Sequence, residues 1–237
     1  MKTSTLLITI AILLTLGCLT AFNIDMKKTY LSGNYKNRFK NMEFIPFSGV
    51  EKLRLRDADI IGIKVEKGNK EGIWIDNHLE GEVTLKVIAD ELLLGLSDKG
   101  KVTKSFSYTN EIIIVTRELK NLSAEPSAKK DEDKHYGKTQ ITVSGYQSAA
   151  LNLEIGSGVG ISLQEMNLSL LKAVIGDKNT GNAELTLSSD TKIDSAMFTI
   201  PGAGKLTLMD PKILKTSYNL SDQASITLSG KLVHLVK

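Results

Sequence analysis

The sequence predicts an all-β body, a parallel β-solenoid, behind one N-terminal transmembrane helix. Three observations predict it. From Thr3 to Ile24 there are 22 residues without a charge. From about Phe47 onward apolar and polar residues alternate with period two, the mark of half-buried strands. In the second half an apolar–hydroxyl–apolar triplet recurs: ITV ending at Val143, ISL at Leu163, LTL at Leu187, LTL at Leu208 and ITL at Leu228. The steps between those end points are 20, 24, 21 and 20 residues, a near-fixed period that marks repeat architectures.

In chain order, residues 1–4 form a short tail and residues 5–24 a transmembrane anchor or signal-anchor, since about 20 apolar residues span a bilayer as a helix. A cleaved signal peptide is the first alternative. Ala21 would serve as the residue before the cut, but Leu19 is too large at the position two earlier. A lipoprotein acylated at Cys18 is the second; its TLGC lacks the usual leucine-like residue at Thr15. Residues 25–45 are polar, with Tyr30, Tyr35 and Phe39 interspersed, and read as a linker. Lys27, Lys28, Lys36, Arg38 and Lys40 follow the apolar stretch while only Lys2 precedes it. Taken alone, that bias favours a cytoplasmic body.

The body spans 46–237. VEKLRLR, IIGIKVEKG, GIWID and EVTLKVIADELLLGLS alternate, KGNKEG is a turn, and EIIIVTREL from Glu111 is a further strand. SAEPSAKKDEDKHYGK, residues 123–138, is charged, contains a proline and reads as an exposed loop. Each coil of the second half would stack on the next about 4.8 Å away. Ile161, Leu163, Leu185, Leu187, Leu206, Leu208, Ile226 and Leu228 then point inward, and Ser162, Thr186, Thr207 and Thr227 line an outer ladder. Gly156, Gly158 and Gly160 crowd ahead of ISL, but a strand pattern follows them. A phosphate-binding glycine loop needs a helix there, so these glycines are corners of the coil.

Composition excludes several classes. The net charge of +3 is scattered, which argues against a nucleic-acid partner. One cysteine, Cys18, forbids an internal disulfide. His78, His135 and His234 lie far apart with no metal-ligand spacing. DEDKHYG opens like a calcium loop at Asp131 and Asp133, but glycine falls at the seventh position and Thr142 stands where a bidentate Glu belongs. Asp177, Glu184, Asp190 and Asp194 are available acids, yet no catalytic pair follows from their spacing. Tyr146, Phe198 and Tyr218 are the only aromatic candidates for a sugar platform in the repeats. Asn121, Asn167 and Asn219 each begin NLS; they read as turn asparagines followed by an inward leucine. No catalytic, cofactor-binding or metal residue is assigned, and no cofactor is expected.

FSGVEKLRLRDADIIGIKVEKG, RELKNLSAEPSA and the glycine-rich turns before ISL and LTL resemble the DUF2807 family, the auto-transporter adhesin head GIN domain common in Bacteroidetes. The resemblance covers about residues 44–230. GSGVG and PGAG keep the family's turn pattern, while AEPSA and SDQAS depart from it. The resemblance implies a right-handed parallel β-solenoid in the cell envelope, with the body on the periplasmic or extracytoplasmic side of a single-pass anchor. It implies a non-catalytic adhesin-like binding or structural module whose partner is an envelope protein or a polysaccharide. A β-helix carbohydrate-active enzyme and a scaffold for other envelope proteins are the alternatives.

Overall fold

The computed structural model describes residues 3–33, 37–102, 111–127, 140–178 and 181–230. The chain divides into two compact units, Met1–Met42 and Glu43–Lys237.

The first unit holds one long helix, α1 (Thr3–Leu31), of 29 residues with none buried. At 1.5 Å per residue it is about 43 Å long. It runs past Ile24 into the stretch read as linker. Thr9, Thr15 and Thr20 each donate their hydroxyl to the carbonyl four residues earlier, at 2.9, 2.9 and 2.8 Å. Their polar groups are thereby satisfied inside the helix, which suits an apolar surrounding. It is the one helix among the described residues long and apolar enough to cross a membrane. Length and composition of this kind fit an anchor and a signal sequence alike.

The second unit is two β-sheets. In chain order the strands are β1 (Met42–Pro46), β2 (Lys52–Leu55), β3 (Gly62–Lys67), β4 (Gly72–Asp76), β5 (Val83–Ile88), β6 (Glu91–Leu96), β7 (Glu111–Thr116), β8 (Asn121–Ala124) and β9 (Gln140–Ser144). They continue with β10 (Gln147–Ile155), β11 (Gly160–Gln164), β12 (Asn167–Ile175), β13 (Glu184–Leu187), β14 (Lys192–Ile200), β15 (Lys205–Met209), β16 (Lys212–Leu220) and β17 (Ser225–Ser229). A short helix, α2 (Asp98–Val102), follows β6. One sheet has nine strands in the order β1-β4-β7-β3-β9-β11-β13-β15-β17, the other eight in the order β16-β14-β12-β10-β8-β2-β6-β5.

From β7 onward successive strands alternate between the two sheets, and each is parallel to its counterpart in the neighbouring repeat. The triplets fall where the period predicts. Ile161, Leu185, Leu206 and Ile226 are register partners, as are Leu163, Leu187, Leu208 and Leu228. The period concealed a second strand in each repeat, the nine-residue β10, β12, β14 and β16 of the other sheet. Their inward residues, such as Leu153, Ala173 and Phe198, meet those of the triplets in one continuous core.

The outer ladder departs from expectation in its burial. Ser162, Thr186 and Thr207 are only 5%, 9% and 9% exposed, while Thr227 in the outermost strand is open. Longer neighbours shield the hydroxyls: Gln164 Nε2 lies 3.4 Å from Ser162 Oγ, and Glu184 Oε1 lies 3.4 Å from Thr207 Oγ1. Ile226 and Leu228 are only half-buried, because no described strand lies beyond β17.

The first half differs more. EVTLKVIADELLLGLS is not one run but an antiparallel hairpin of β5 and β6, turned at Ala89 with φ 54°. β4 also pairs antiparallel, with β7. The strands are out of sequence order as well. β2 lies between β6 and β8, and β3 between β7 and β9, so the chain starts inside the stack, builds one end, and crosses back. The return is held where the Lys120 and Asn121 amides donate to the Glu51 carbonyl at 2.8 and 3.3 Å. Ser123 and Ala124, read as loop, end β8. The part of that loop from 128 to 138 lies outside the described residues.

Candidate functional site

Because side chains alternate faces along a strand, the outer face of the eight-stranded sheet carries rows of residues matched by register. One row runs Glu91, Lys52, Asn121, Asn152, Lys172. The next runs Leu93, Arg54, Ser123, Glu154, Val174. Between them lies a shallow groove of about 300 Å³, lined by Lys52, Arg54, Glu91, Asn121, Asn152 and Glu154 among others.

The groove is polar and already organised. Arg54 donates from Nε to Glu125 Oε1 at 2.8 Å, and its second nitrogen lies 2.7 Å from the same oxygen. The hydrogen bond to Glu125, and then the charges of Glu125, Glu91 and Glu154, raise the Arg54 pKa. Asn152 Nδ2 donates to Asn121 Oδ1 at 2.9 Å across two strands. Lys52 Nζ lies 3.0 Å from Asp90, and that hydrogen bond lowers the Asp90 pKa. Pairs of this kind hold side chains in place while leaving amide and guanidinium edges open to a polar partner. Sequence reading missed this site, because Lys52 and Arg54 reach Asn121 and Ser123 only through the out-of-order coil. The one sequence signal was the alternation that put these residues on a common face.

The residues singled out from the sequence are scattered. His78 is exposed in a 3-10 turn (Asn77–Leu79); His135 and His234 lie outside the described residues. Among the described residues no three His, Cys, Asp or Glu side chains group to hold a metal. Asp131 and Asp133 also lie outside the described residues, and Thr142 sits in β9. The four acids of the repeats occupy separate structural posts. Asp177 accepts from Ser157 Oγ at 3.1 Å, and Glu184 pairs with Lys205 Nζ at 3.0 Å. Asp190 accepts from the Glu165 amide at 2.9 Å, which with Ser188 lowers its pKa, and Asp194 is exposed on β14. Asp57 and Asp59 are near enough to feel each other, yet each is committed to the backbone. Asp57 accepts from the Leu96 amide at 3.0 Å and Asp59 from the Ser127 amide at 2.7 Å. Burial raises the Asp59 pKa, with the Asp57 charge as a smaller cause.

Two of the three candidate sugar platforms are core. Tyr146 is buried, and its hydroxyl lies 2.8 Å from Thr116 Oγ1; burial pushes its phenol pKa up. Phe198 is buried and stacks on half-exposed Tyr218 at 5.7 Å. Asn121 and Asn167 open strands rather than turns, and Asn219 lies within β16. Leu122 and Leu168 are buried as expected, whereas Leu220 after Asn219 is 43% exposed. Gly156 and Gly158 lie in the turn before β11, whereas Gly160 is the first residue of that strand rather than part of a corner. Gly158 takes φ 81°, and a Cβ at Gly156 would lie 2.6 Å from Pro126 Cδ and 2.9 Å from the Ala124 carbonyl, so the corner packs tightly onto the preceding coil.

No protein-family model matches the chain, and no curated protein matches it. Among solved structures it is similar to a "putative adhesin" of Bacteroides fragilis, at 15% identity and TM-score 0.48, covering 79% of this chain and 96% of that one. It is similar to a "putative lipid binding protein" of Parabacteroides distasonis, at 16% identity and TM-score 0.38, covering 80% and 96%. A "putative adhesin" of Parabacteroides merdae is similar at 13% identity and TM-score 0.36, covering 80% and 95%. At these values the similarity says nothing about what the chain binds.

Proposed function

We propose that the chain is a membrane-anchored cell-envelope β-solenoid of the DUF2807 type, a non-catalytic adhesin-like binding or structural module. Its body, residues 46–237, stands on the extracytoplasmic side, and α1 holds it at the membrane. Its binding surface is the outer face of the eight-stranded sheet, and its partner is an extended polar polymer of the envelope. The observation that carries this reading is the register-matched pair of rows whose central members, Lys52, Asn121 and Asn152 in one and Arg54, Ser123 and Glu154 in the other, are polar. A regular face with repeating hydrogen-bonding groups suits a partner that is itself extended and repetitive.

Crosslinking and capture from native membranes tests it. The wild-type chain is expected to retain one reproducible polysaccharide or envelope protein. A variant carrying Arg54→Ala, Asn121→Ala and Asn152→Ala should lose at least tenfold of it, whereas Thr207→Ala on the other sheet should not. Equal capture by the groove variant overturns the site. For sidedness, a cysteine placed between positions 128 and 138 of a Cys18→Ser chain should react with an impermeant thiol reagent once the outer barrier is opened. Labelling only after the inner membrane is lysed reverses the assignment.

A further inference from the structure

The outer face of the eight-stranded sheet continues past the Arg54 groove onto the hairpin of β5 and β6. Register carries the Arg54 row to Leu93 and then to Lys86. In the next row Thr84 pairs with Gly95, and Arg56, one residue past β2, lies against them. A second groove of about 350 Å³ opens there, with Arg56, Lys86, Leu93, Gly95 and Asp57 among its walls. Gly95 shapes it. A Cβ at that position would lie 3.2 Å from Arg56 Cβ and 3.9 Å from its Cδ, so the bare backbone lets the arginine stem lie close over the strand.

The charges of the two grooves are used differently. In the first, the cations are committed: Lys52 pairs with Asp90 and Arg54 with Glu125. In the second, the exposed Arg56 and Lys86 side chains have no ion-pair or hydrogen-bond partner among the described residues. Asp57 is the one carboxylate among the residues lining this groove. It is 6% exposed and already accepts from the buried Leu96 amide at 3.0 Å. The groove therefore offers a guanidinium fork and an ammonium to the solvent with no counter-charge set opposite them. A planar carboxylate meets such a fork in two parallel hydrogen bonds. Leu93 and the two aliphatic stems give the apolar surface that the C–H face of a sugar ring can cover.

We propose that this second groove is an anion subsite, in which Arg56 and Lys86 hold the carboxylate of a uronic acid, and that the partner polymer is an acidic polysaccharide. The polymer itself rests on the function proposed above; its charge rests on the two uncompensated cations. The two grooves adjoin through the row that joins Lys86, Leu93 and Arg54, so one chain lying across the strands reaches both. The first groove supplies amide and paired guanidinium edges for hydroxyls, and the second supplies the site for charge.

Titration of the full chain in detergent micelles tests it, with oligogalacturonate and with the same oligomer methyl-esterified, which differ only in charge. The acid form should bind at least about tenfold more tightly than the ester, by a margin that shrinks as salt is added. Arg56→Gln combined with Lys86→Gln should remove that margin and leave the ester unchanged; both side chains are exposed, so the fold should tolerate the change. Lys67→Gln, which removes an exposed charge from the nine-stranded sheet, should alter neither titration. No binding of the acid form, equal binding of acid and ester, or a margin that survives the double substitution overturns the proposal. Equal binding of acid and ester that is lost with Arg54→Ala, Asn121→Ala and Asn152→Ala overturns the anion subsite alone and leaves the polymer reading standing. Tight binding of the acid form that needs Arg56 and Lys86 but survives that triple substitution supports the subsite and removes the first groove from the binding surface.

Discussion

Leu208 and Leu228 are the same residue in the same column, one repeat apart. Leu208 is 3% exposed, with strands on both sides of it; Leu228 is half-buried, with a neighbouring strand on one side only among the described residues. The local sequences LTL and ITL are nearly interchangeable, so their difference is one of position in the stack. In a stacked repeat a residue's burial comes from the adjacent coils as much as from its own.

The largest effects should come from breaking that contrast directly. Leu208→Ala should cost about 2–5 kcal/mol, the usual range for a buried leucine, while Leu228→Ala should cost about 1 kcal/mol or less. Urea denaturation of the body, Glu43–Lys237, measures both; equal losses would mean that the β17 coil is covered as well as the β15 coil. Next comes the joint between the irregular first half and the repeats. Tyr146 follows β9, and its hydroxyl meets Thr116 at the end of β7, away from water. Tyr146→Phe leaves the threonine hydroxyl buried and unpartnered, for an expected loss of about 1–3 kcal/mol in the same measurement.

Smaller effects sharpen the comparison between the two outer faces. Thr207→Ala, on the shielded ladder, should cost under about 1 kcal/mol, since its hydroxyl makes only a 3.4 Å contact with Glu184. The Arg54–Glu125 pair is about 40% exposed on both sides, so a double-mutant cycle should give about 0.2–1 kcal/mol, shrinking as salt is added. Smallest is Asp59→Asn. Burial raises the folded pKa of Asp59 above its unfolded value, so its ionised form opposes folding at neutral pH and the penalty disappears as pH falls through the folded pKa. The variant, which keeps an oxygen for the Ser127 amide, should therefore be slightly more stable than wild type at pH 7. The advantage should vanish at pH values below the carboxylate range; an advantage that persists in acid would assign it to another cause.

The sequence by itself determined the apolar helix, the strand-rich body and the register of the second half. Each of these is local or periodic. An uncharged run can be counted, and a triplet repeated every 20 to 24 residues keeps the same side chains facing inward because strand geometry has period two. The glycine corner was legible for the same reason, since a strand pattern after GSGVG leaves no helix to hold a phosphate.

Tertiary structure decided the rest. Nothing in EVTLKVIADELLLGLS marks a hairpin strongly: its turn, Ala89-Asp90, contains no glycine, and Ala89 takes a positive φ that only the surrounding sheet can impose. Whether an outward hydroxyl is wet depends on the length of its neighbours in adjacent coils, which is why Thr207 is shielded and Thr227 is not. The groove around Arg54 exists because β2 and β3 enter the stack ahead of their turn, between strands that come later in the chain. A period read along the chain cannot reveal that exchange. It is settled by which exposed edge and which open core face each coil can cover, and those are properties of the folded stack.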